Sequence, residues 1–251
     1  MNMDFDSIRS YRDSEVPDVL QKLTEEKQFM NLLSTVFPLL PKDVLKHRLL
    51  SFQSVSDFQR GLDYPFLKGL EETKTKGIKL HGLENIDKSK SYLYISNHRD
   101  IILDAALFCI KFIDNGLDTV EIAIGDNLLI FPWIEDLVRV NKSFIVRRGL
   151  NSREILESSR LLSSYIAHSI NERHQSVWIA QREGRAKDSD DRTQDSVLKM
   201  LSMHGEGNFI ENLKQLNIAP LSISYEYDPC DYLKAKEFQQ KRDNPDFKKS
   251  P

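Results

Sequence analysis

The sequence predicts an α/β fold: a largely parallel or mixed sheet covered by helices, with a helical segment ahead of it. Three observations carry that prediction. From Gly77 onward, short β-branched and aromatic runs alternate with helical patterns, the signature of a helix-covered sheet. Before Gly77 the apolar residues recur at partly helical spacing instead. The chain has 251 residues, 40% hydrophobic and 29% charged, enough for one large domain or a domain with a smaller cap.

The elements follow in order. Residues 1–75 read as an N-terminal helical segment. Pro17 can open a helix carrying Val19, Leu20, Leu23 and Phe29, and Pro41 with Asp43 starts another carrying Val44, Leu45, Arg48 and Leu49. The apolar run 29–41 is broken by Asn31, Ser34 and Pro38; it is too short to span a membrane and reads first as core, second as an interfacial stretch. Residues 76–230 form the α/β domain. Its strands are expected at 78–81, 91–95, 119–124, 143–147, 177–180 and 218–225, and its helices at 105–113 and 152–171. Asn151 and Glu154 make a capping box for the second helix, and Ile155, Leu162, Ile166 and Ile170 fall near one face of it. Residues 231–251 read as a helix stub and a charged tail. The stop at Lys248-Lys249-Ser250-Pro251 leaves open that the chain is a piece of a longer protein.

Composition excludes several function classes. The formal net charge of −3 offers no global excess of base for nucleic acid, so any anion site must be local. Cys109 and Cys230, the only cysteines, form neither a metal spacing nor a disulfide framework. They fit a reduced, cytoplasmic setting. The polar start at Met1 is no signal peptide. No metal cluster, Gly-rich nucleotide fingerprint or hydrolase elbow stands out, so no cofactor is expected.

Chemistry concentrates where predicted strands end. The first segment, Asn97-His98-Arg99-Asp100, follows a strand and precedes a helix, with Asp104 just beyond. A neutral imidazole there can take a proton from an attacking hydroxyl, and a neighbouring carboxylate can fix its tautomer. The second runs from Gly125-Asp126-Asn127-Leu128 through Pro132, Trp133 and Arg139 to Arg147-Arg148, whose guanidinium forks suit phosphate. The third, Glu183-Gly184-Arg185-Ala186-Lys187, is a polar loop whose glycine permits close backbone approach. The fourth is the strand from Ile218 through Pro220 and Ile223 to Tyr225. Each segment alone also fits an ordinary strand end or charged loop. Trp133 and Phe131 fit core packing better than an acyl groove.

In this order and spacing, the four segments resemble the glycerolipid acyltransferase superfamily over about residues 77–228. Asn97, His98 and a nearby Asp resemble its Asn-His-x-x-x-x-Asp motif. Gly125, Asn127, Leu128, Phe144, Ile145 and Arg147 resemble its second motif. Glu183, Gly184 and a shifted Arg185 resemble its third, and Ala219, Pro220, Leu221 and Ile223 loosely match its fourth. Two departures stand out. The family places four residues between His and Asp, whereas five separate His98 from Asp104 and one separates it from Asp100. The junction must then be partly non-helical or bulged; Asp104 is favoured and Asp100 stays open. Arg185-Ala186-Lys187 also departs from the family's third motif, which puts the acceptor in doubt.

The resemblance implies a fatty acyl transfer from acyl-CoA or acyl-carrier protein to glycerol-3-phosphate or 1-acylglycerol-3-phosphate. His98 would be the base, paired with Asp104 or Asp100. Asn97, Arg99, Gly125, Asn127, Arg147, Arg148, Glu183, Gly184 and Arg185 would bind substrate, with Arg147, Arg148 and Arg185 on the acceptor phosphate and Glu183 and Gly184 shaping its pocket. A membrane surface, reached through the N-terminal helices, would be a further partner on the cytoplasmic side. The alternatives are another acceptor on the same fold, or a lipid- or acyl-carrier-binding protein that has lost catalysis, for which the irregular His-to-Asp spacing is the one argument. A serine or cysteine hydrolase ranks last.

Overall fold

The computed structural model describes residues 4–186 and 190–247; Lys187 and the last four residues of the expected tail lie outside them. Five strands build one parallel sheet: β1 (Leu93–Ser96), β2 (Glu121–Gly125), β3 (Ser143–Val146), β4 (Val177–Ala180) and β5 (Ile218–Leu221). The spatial order is β3-β2-β4-β1-β5, which places β1 and β4 side by side inside the sheet. All five carboxyl ends therefore open on one face, where ligands bind in such sheets.

The period-2 alternation of strand side chains builds a core on each side. Leu93, Phe144, Val177 and Ile179 point to one side, under helix α8 (Ser152–Asn171), with Leu162, Tyr165, Ile166 and Ile170. Tyr94, Trp178 and Ala219 point to the other, under α6 (Leu103–Asp114), with Phe108 and Phe112. The Asn151 side chain accepts from the Arg153 and Glu154 N–H groups at the start of α8, and Glu154 accepts from Asn151 N–H in return. Ile155 departs from the expected face: it is 52% exposed, because the buried stripe of α8 begins only at Leu162.

Helices α1 (Val16–Glu25), α2 (Lys27–Val36), α3 (Lys42–Leu50), α4 (Val55–Phe58) and α5 (Tyr64–Lys74) precede the sheet, with a π-helical turn at Gln59–Asp63. Leu20, Leu23, Phe29, Leu33, Leu45, Leu49 and Phe58 close their own core, with Val140 from α7 (Pro132–Val140). The run 29–41 is thus partly core, at Phe29, Met30 and Leu33, while Leu39 is exposed. Trp133 leans on Phe29 and donates to Gln28, in this helical layer. Ahead of α1, the Ile145 N–H donates to Ile8 O, so the chain start covers the outer edge of β3. Arg139 holds that segment through the carbonyls of Asp6, Ser7 and Arg9.

Three expected boundaries are corrected. Residues 78–81 form no strand: the Ile78 N–H, a ladder donor in a strand, goes to the Glu71 carboxylate at 3.1 Å. The strand expected over 218–225 stops at Leu221, because Asn97 takes both backbone groups of Ile223. The expected C-terminal stub is a full helix, α11 (Asp231–Asp243). The remaining helices are α9 (Asp195–Leu201) and α10 (Phe209–Lys214).

At the amino end of β2, Glu121 is fully buried and accepts from Ser10 (2.8 Å), Tyr165 (3.0 Å), Ser169 (2.8 Å) and Arg173 (2.8 Å). One carboxylate thus joins the chain start, α8 and the sheet. Replacing it leaves buried donors without an acceptor. Glu121→Ala is expected to lower unfolding stability by about 2–4 kcal/mol in urea titration. A change below about 0.5 kcal/mol, the range of ordinary surface substitutions, would remove this network from the stability argument.

Candidate active site

The site starts where β1 ends. Ser96 Oγ donates to Asn97 O and accepts from Trp178 Nε1 at 3.0 Å, which ties the strand end to β4. The chain then turns through residues 97–102 before α6 begins at Leu103. Asp100 Oδ1 accepts from the Ile102 and Leu103 N–H groups at 2.9 and 2.8 Å, capping that turn. Asp104 follows in the first turn of α6, where its negative charge also meets the positive end of the helix.

His98 Nδ1 lies 2.9 Å from Asp104 Oδ2. The same oxygen accepts the Arg99 N–H at 2.7 Å and the Asp100 N–H at 3.0 Å. Asp104 Oδ1 accepts from Tyr225 Oη at 2.7 Å. Burial would raise the Asp104 pKa, but the donors from His98, Asp100, Tyr225 and Arg99 outweigh it and hold it below its ordinary value. The ionised carboxylate accepts only, so Nδ1 carries the imidazole proton and Nε2 keeps the free lone pair. The ring stands edge-on to Trp178, with centroids 5.8 Å apart. The extra residue between His98 and Asp104 is absorbed by the capped turn. Asp100 caps it and does not meet the imidazole.

Two residues of the expected substrate-binding set have partners within the fold. Asn97 Nδ2 donates to Ile223 O and its Oδ1 accepts the Ile223 N–H, both at 2.8 Å, so its amide is a latch to the segment after β5. The Arg99 guanidinium pairs with Asp191 and lies 3.8 Å from Asp228, while Lys234 Nζ binds Asp228 and donates to Arg99 O at 2.7 Å. This charged cluster docks α11 beside the His98 turn.

The second and third segments meet over the carboxyl ends of β2, β3 and β4. Arg148 pairs with Glu183 at 2.8 Å, and its N–H donates to Asp126 Oδ1 at 3.1 Å. Gly125 makes room for this arrangement: a Cβ there would lie 2.5 Å from Asn127 Oδ1 and 3.4 Å from Arg148 Nε. Gly184 has φ +72°, the left-handed conformation glycine adopts at no steric cost. Arg148 and Glu183 therefore staple two loops together. Arg147 and Arg185, by contrast, have no carboxylate partner among the described residues. Their positions differ. Arg147 leaves β3, three strand spacings or roughly 14 Å from β1. Arg185 precedes Ala186, whose N–H donates to His98 O at 2.9 Å.

Tyr225, Ile223 and the Asp191–Asp228–Lys234 cluster were not singled out as site residues in the sequence. Tyr225 carried one usable signal: it ends the fourth predicted segment, at the carboxyl end of a strand.

This geometry can be set beside known proteins. A family model described as Acyltransferase matches residues 77–224, more than half of the chain. No curated protein matches it. The crystal structure of the 1-acyl-sn-glycerophosphate (LPA) acyltransferase, PlsC, from Thermotoga maritima is similar at 12% identity, covering 95% of this chain and 97% of that one, with a TM-score of 0.36. That likeness is too distant to carry substrate or residue roles across. The family match spans the strand ends, the His98–Asp104 pair and both arginine loops, and by it the chain belongs to the acyltransferase family.

Proposed function

We propose that this acyltransferase moves a fatty acyl group from acyl-CoA or acyl-carrier protein to a hydroxyl of glycerol-3-phosphate or 1-acylglycerol-3-phosphate. The observation that carries the reading is the His98–Asp104 pair at the carboxyl face of the sheet, with Nδ1 held and Nε2 free. Nε2 takes the proton of the acceptor hydroxyl as its oxygen attacks the thioester carbonyl. The tetrahedral intermediate collapses, the C–S bond breaks, and the imidazolium returns the proton to the departing thiolate. Asp104 stabilises the transient imidazolium without itself taking the proton.

The acceptor phosphate calls for uncommitted guanidinium groups near the base. Arg185 suits this best, since its neighbour Ala186 is bonded to the His98 backbone, and Arg147 is a more distant second. Arg148 and Glu183 act on the pocket through their mutual pair. The spacing argument for a protein without catalysis finds no support in a turn that absorbs the extra residue. No helix of the described residues is long and apolar enough to cross a membrane. Exposed Leu32, Leu39 and Val44 on α2, α3 and their connection support a lipid surface as the further partner.

Thiol release from a long-chain acyl-CoA, with carrier-protein thioesters in parallel, should depend on added glycerol-3-phosphate or 1-acylglycerol-3-phosphate. His98→Ala should lower acceptor-dependent release by about 10²–10⁴-fold. Release that persists unchanged in that variant would take His98 out of the chemistry. Arg185→Ala should raise the acceptor KM by about tenfold or more, the loss of one charge-assisted hydrogen bond, with a smaller change in kcat.

The lowered Asp104 pKa also makes a signed prediction. A carboxylate with a depressed folded-state pKa stabilises fully above its unfolded value of about 4, and that contribution fades as pH falls through the folded value. The stability difference between wild type and Asp104→Asn, from urea titrations, should therefore shrink as the pH is lowered below about 4, the ordinary carboxylate value. A difference that keeps growing below that pH would contradict an ionised Asp104 in the folded protein.

A further inference from the structure

Tyr225 lies one residue beyond the segment that the family model matches, and it touches the centre of the site. Asp104 is 1% exposed and receives four donors. Three of them, His98 Nδ1 and the Arg99 and Asp100 N–H groups, converge on Oδ2. Tyr225 Oη serves Oδ1 at 2.7 Å. A carboxylate held at one oxygen can rotate about its last bond; one held at both cannot. Without the phenol, Oδ1 would be a buried anionic oxygen lacking this partner, more of the charge would fall on Oδ2, and the carboxylate would be held from one side only.

The placement of Tyr225 is itself built in. Two residues earlier, the Ile223 N–H and C=O are both taken by the Asn97 amide. The residue before His98 thus fastens the strand extension that delivers the phenol to the partner of His98. Burial, and then the charge and hydrogen bond of Asp104, raise the Tyr225 pKa well above the usual tyrosine range, so the phenol is a fixed donor and no rival base.

We propose that Tyr225 is a positioning residue, whose O–H locks the Asp104 carboxylate with Oδ2 toward His98 and, by drawing charge onto Oδ1, tunes how strongly Asp104 supports the imidazolium. The inference rests on His98 as the base under the proposed function. Other charged groups surround the pair. Asp100 sits on the same turn, Arg99 is neutralised by Asp191 and Asp228, and Lys234 of α11 pairs with Asp228. None of these is altered by removing the phenol oxygen.

The sign follows. Losing the O–H donor concentrates negative charge on Oδ2, so the imidazolium is held more strongly. In Tyr225→Phe, the pH midpoint of the His98 Cε1 NMR shift, assigned with His98→Gln, should rise by roughly several tenths of a unit. In the thiol-release assay, kcat should fall about tenfold while both KM values stay within about twofold. Combined with Asp104→Asn, the Tyr225 change should have little further effect, because its action runs through that carboxylate. Should Tyr225→Phe fail to fold, 3-fluorotyrosine at position 225, a stronger donor on the same ring, must move the midpoint the opposite way.

An unchanged or lowered midpoint overturns the proposal, whatever happens to kcat. So does a raised acceptor KM with kcat and midpoint unmoved, since the phenol would then be meeting substrate. The NMR arm needs no turnover. A shifted midpoint in a protein inactive on every acceptor would retain the Tyr225–Asp104–His98 coupling and reject only the proposed reaction.

Discussion

The Asp104 carboxylate organises the functional end of this molecule. A buried carboxylate is stable only when its oxygens are satisfied, and Asp104 draws its donors from three places. His98 comes from the end of β1, two N–H groups from the turn, and Tyr225 from the segment after β5. The turn must curl for its N–H groups to reach Oδ2, and Asp100 caps the curl so that α6 can begin. The fourth segment must leave the ladder for its phenol to reach Oδ1, and Asn97 compensates the backbone groups lost there. The geometry of the His98–Asp104 pair and the local fold thus depend on the same set of hydrogen bonds.

A second buried carboxylate does comparable work at the opposite end of the sheet. Glu121 gathers Ser10, Tyr165, Ser169 and Arg173, joining the chain start to α8 and β2. Its position at the amino end of a strand, away from the carboxyl-end loops, sets it apart from the His98–Asp104 pair. Between these anchors the sheet is held by two apolar layers, which leaves the polar residues of the carboxyl face to serve the loops. Such a division lets the loops vary their contacts without disturbing the core.

Much of the fold was legible because local signals and tertiary context agree. The capping box at Asn151, the apolar rows of α8 and the run 177–180 each specify their element unaided. Two of the misread segments share one cause. At Ile78 and Ile223 the alternating pattern is extended, but the side chains of Glu71, on the helix just before, and of Asn97, distant in sequence, take the backbone groups a ladder would use. Spacing alone likewise could not choose between Asp100 and Asp104, because a turn with an added residue has no fixed rotation per residue. The engagement of Asn97, Arg99, Arg148 and Glu183 was invisible for the same reason: each partner lies on another strand's loop or on α11, and pairings of that kind are settled only when the strand order is known.

That strand order also explains why arginines of similar sequence context divide their roles. Arg147 and Arg148 are neighbours leaving β3, yet only Arg148 lies over Gly125, where the absent side chain opens a path to Glu183 beyond β4. Pairing there consumes its charge. Arg185 leaves β4, the strand beside β1, and its loop is bonded to the His98 backbone. Under the proposed function, a guanidinium that has no carboxylate partner among the described residues and is joined through the chain to His98 contributes most where an anionic acceptor must be held close to it. Arg147, three strand spacings away, would at most draw an anion toward the same face. On that reading, specificity for a phosphate-bearing acceptor would follow less from the number of arginines on the face than from which of them the parallel order places beside β1 without a partner among the described residues.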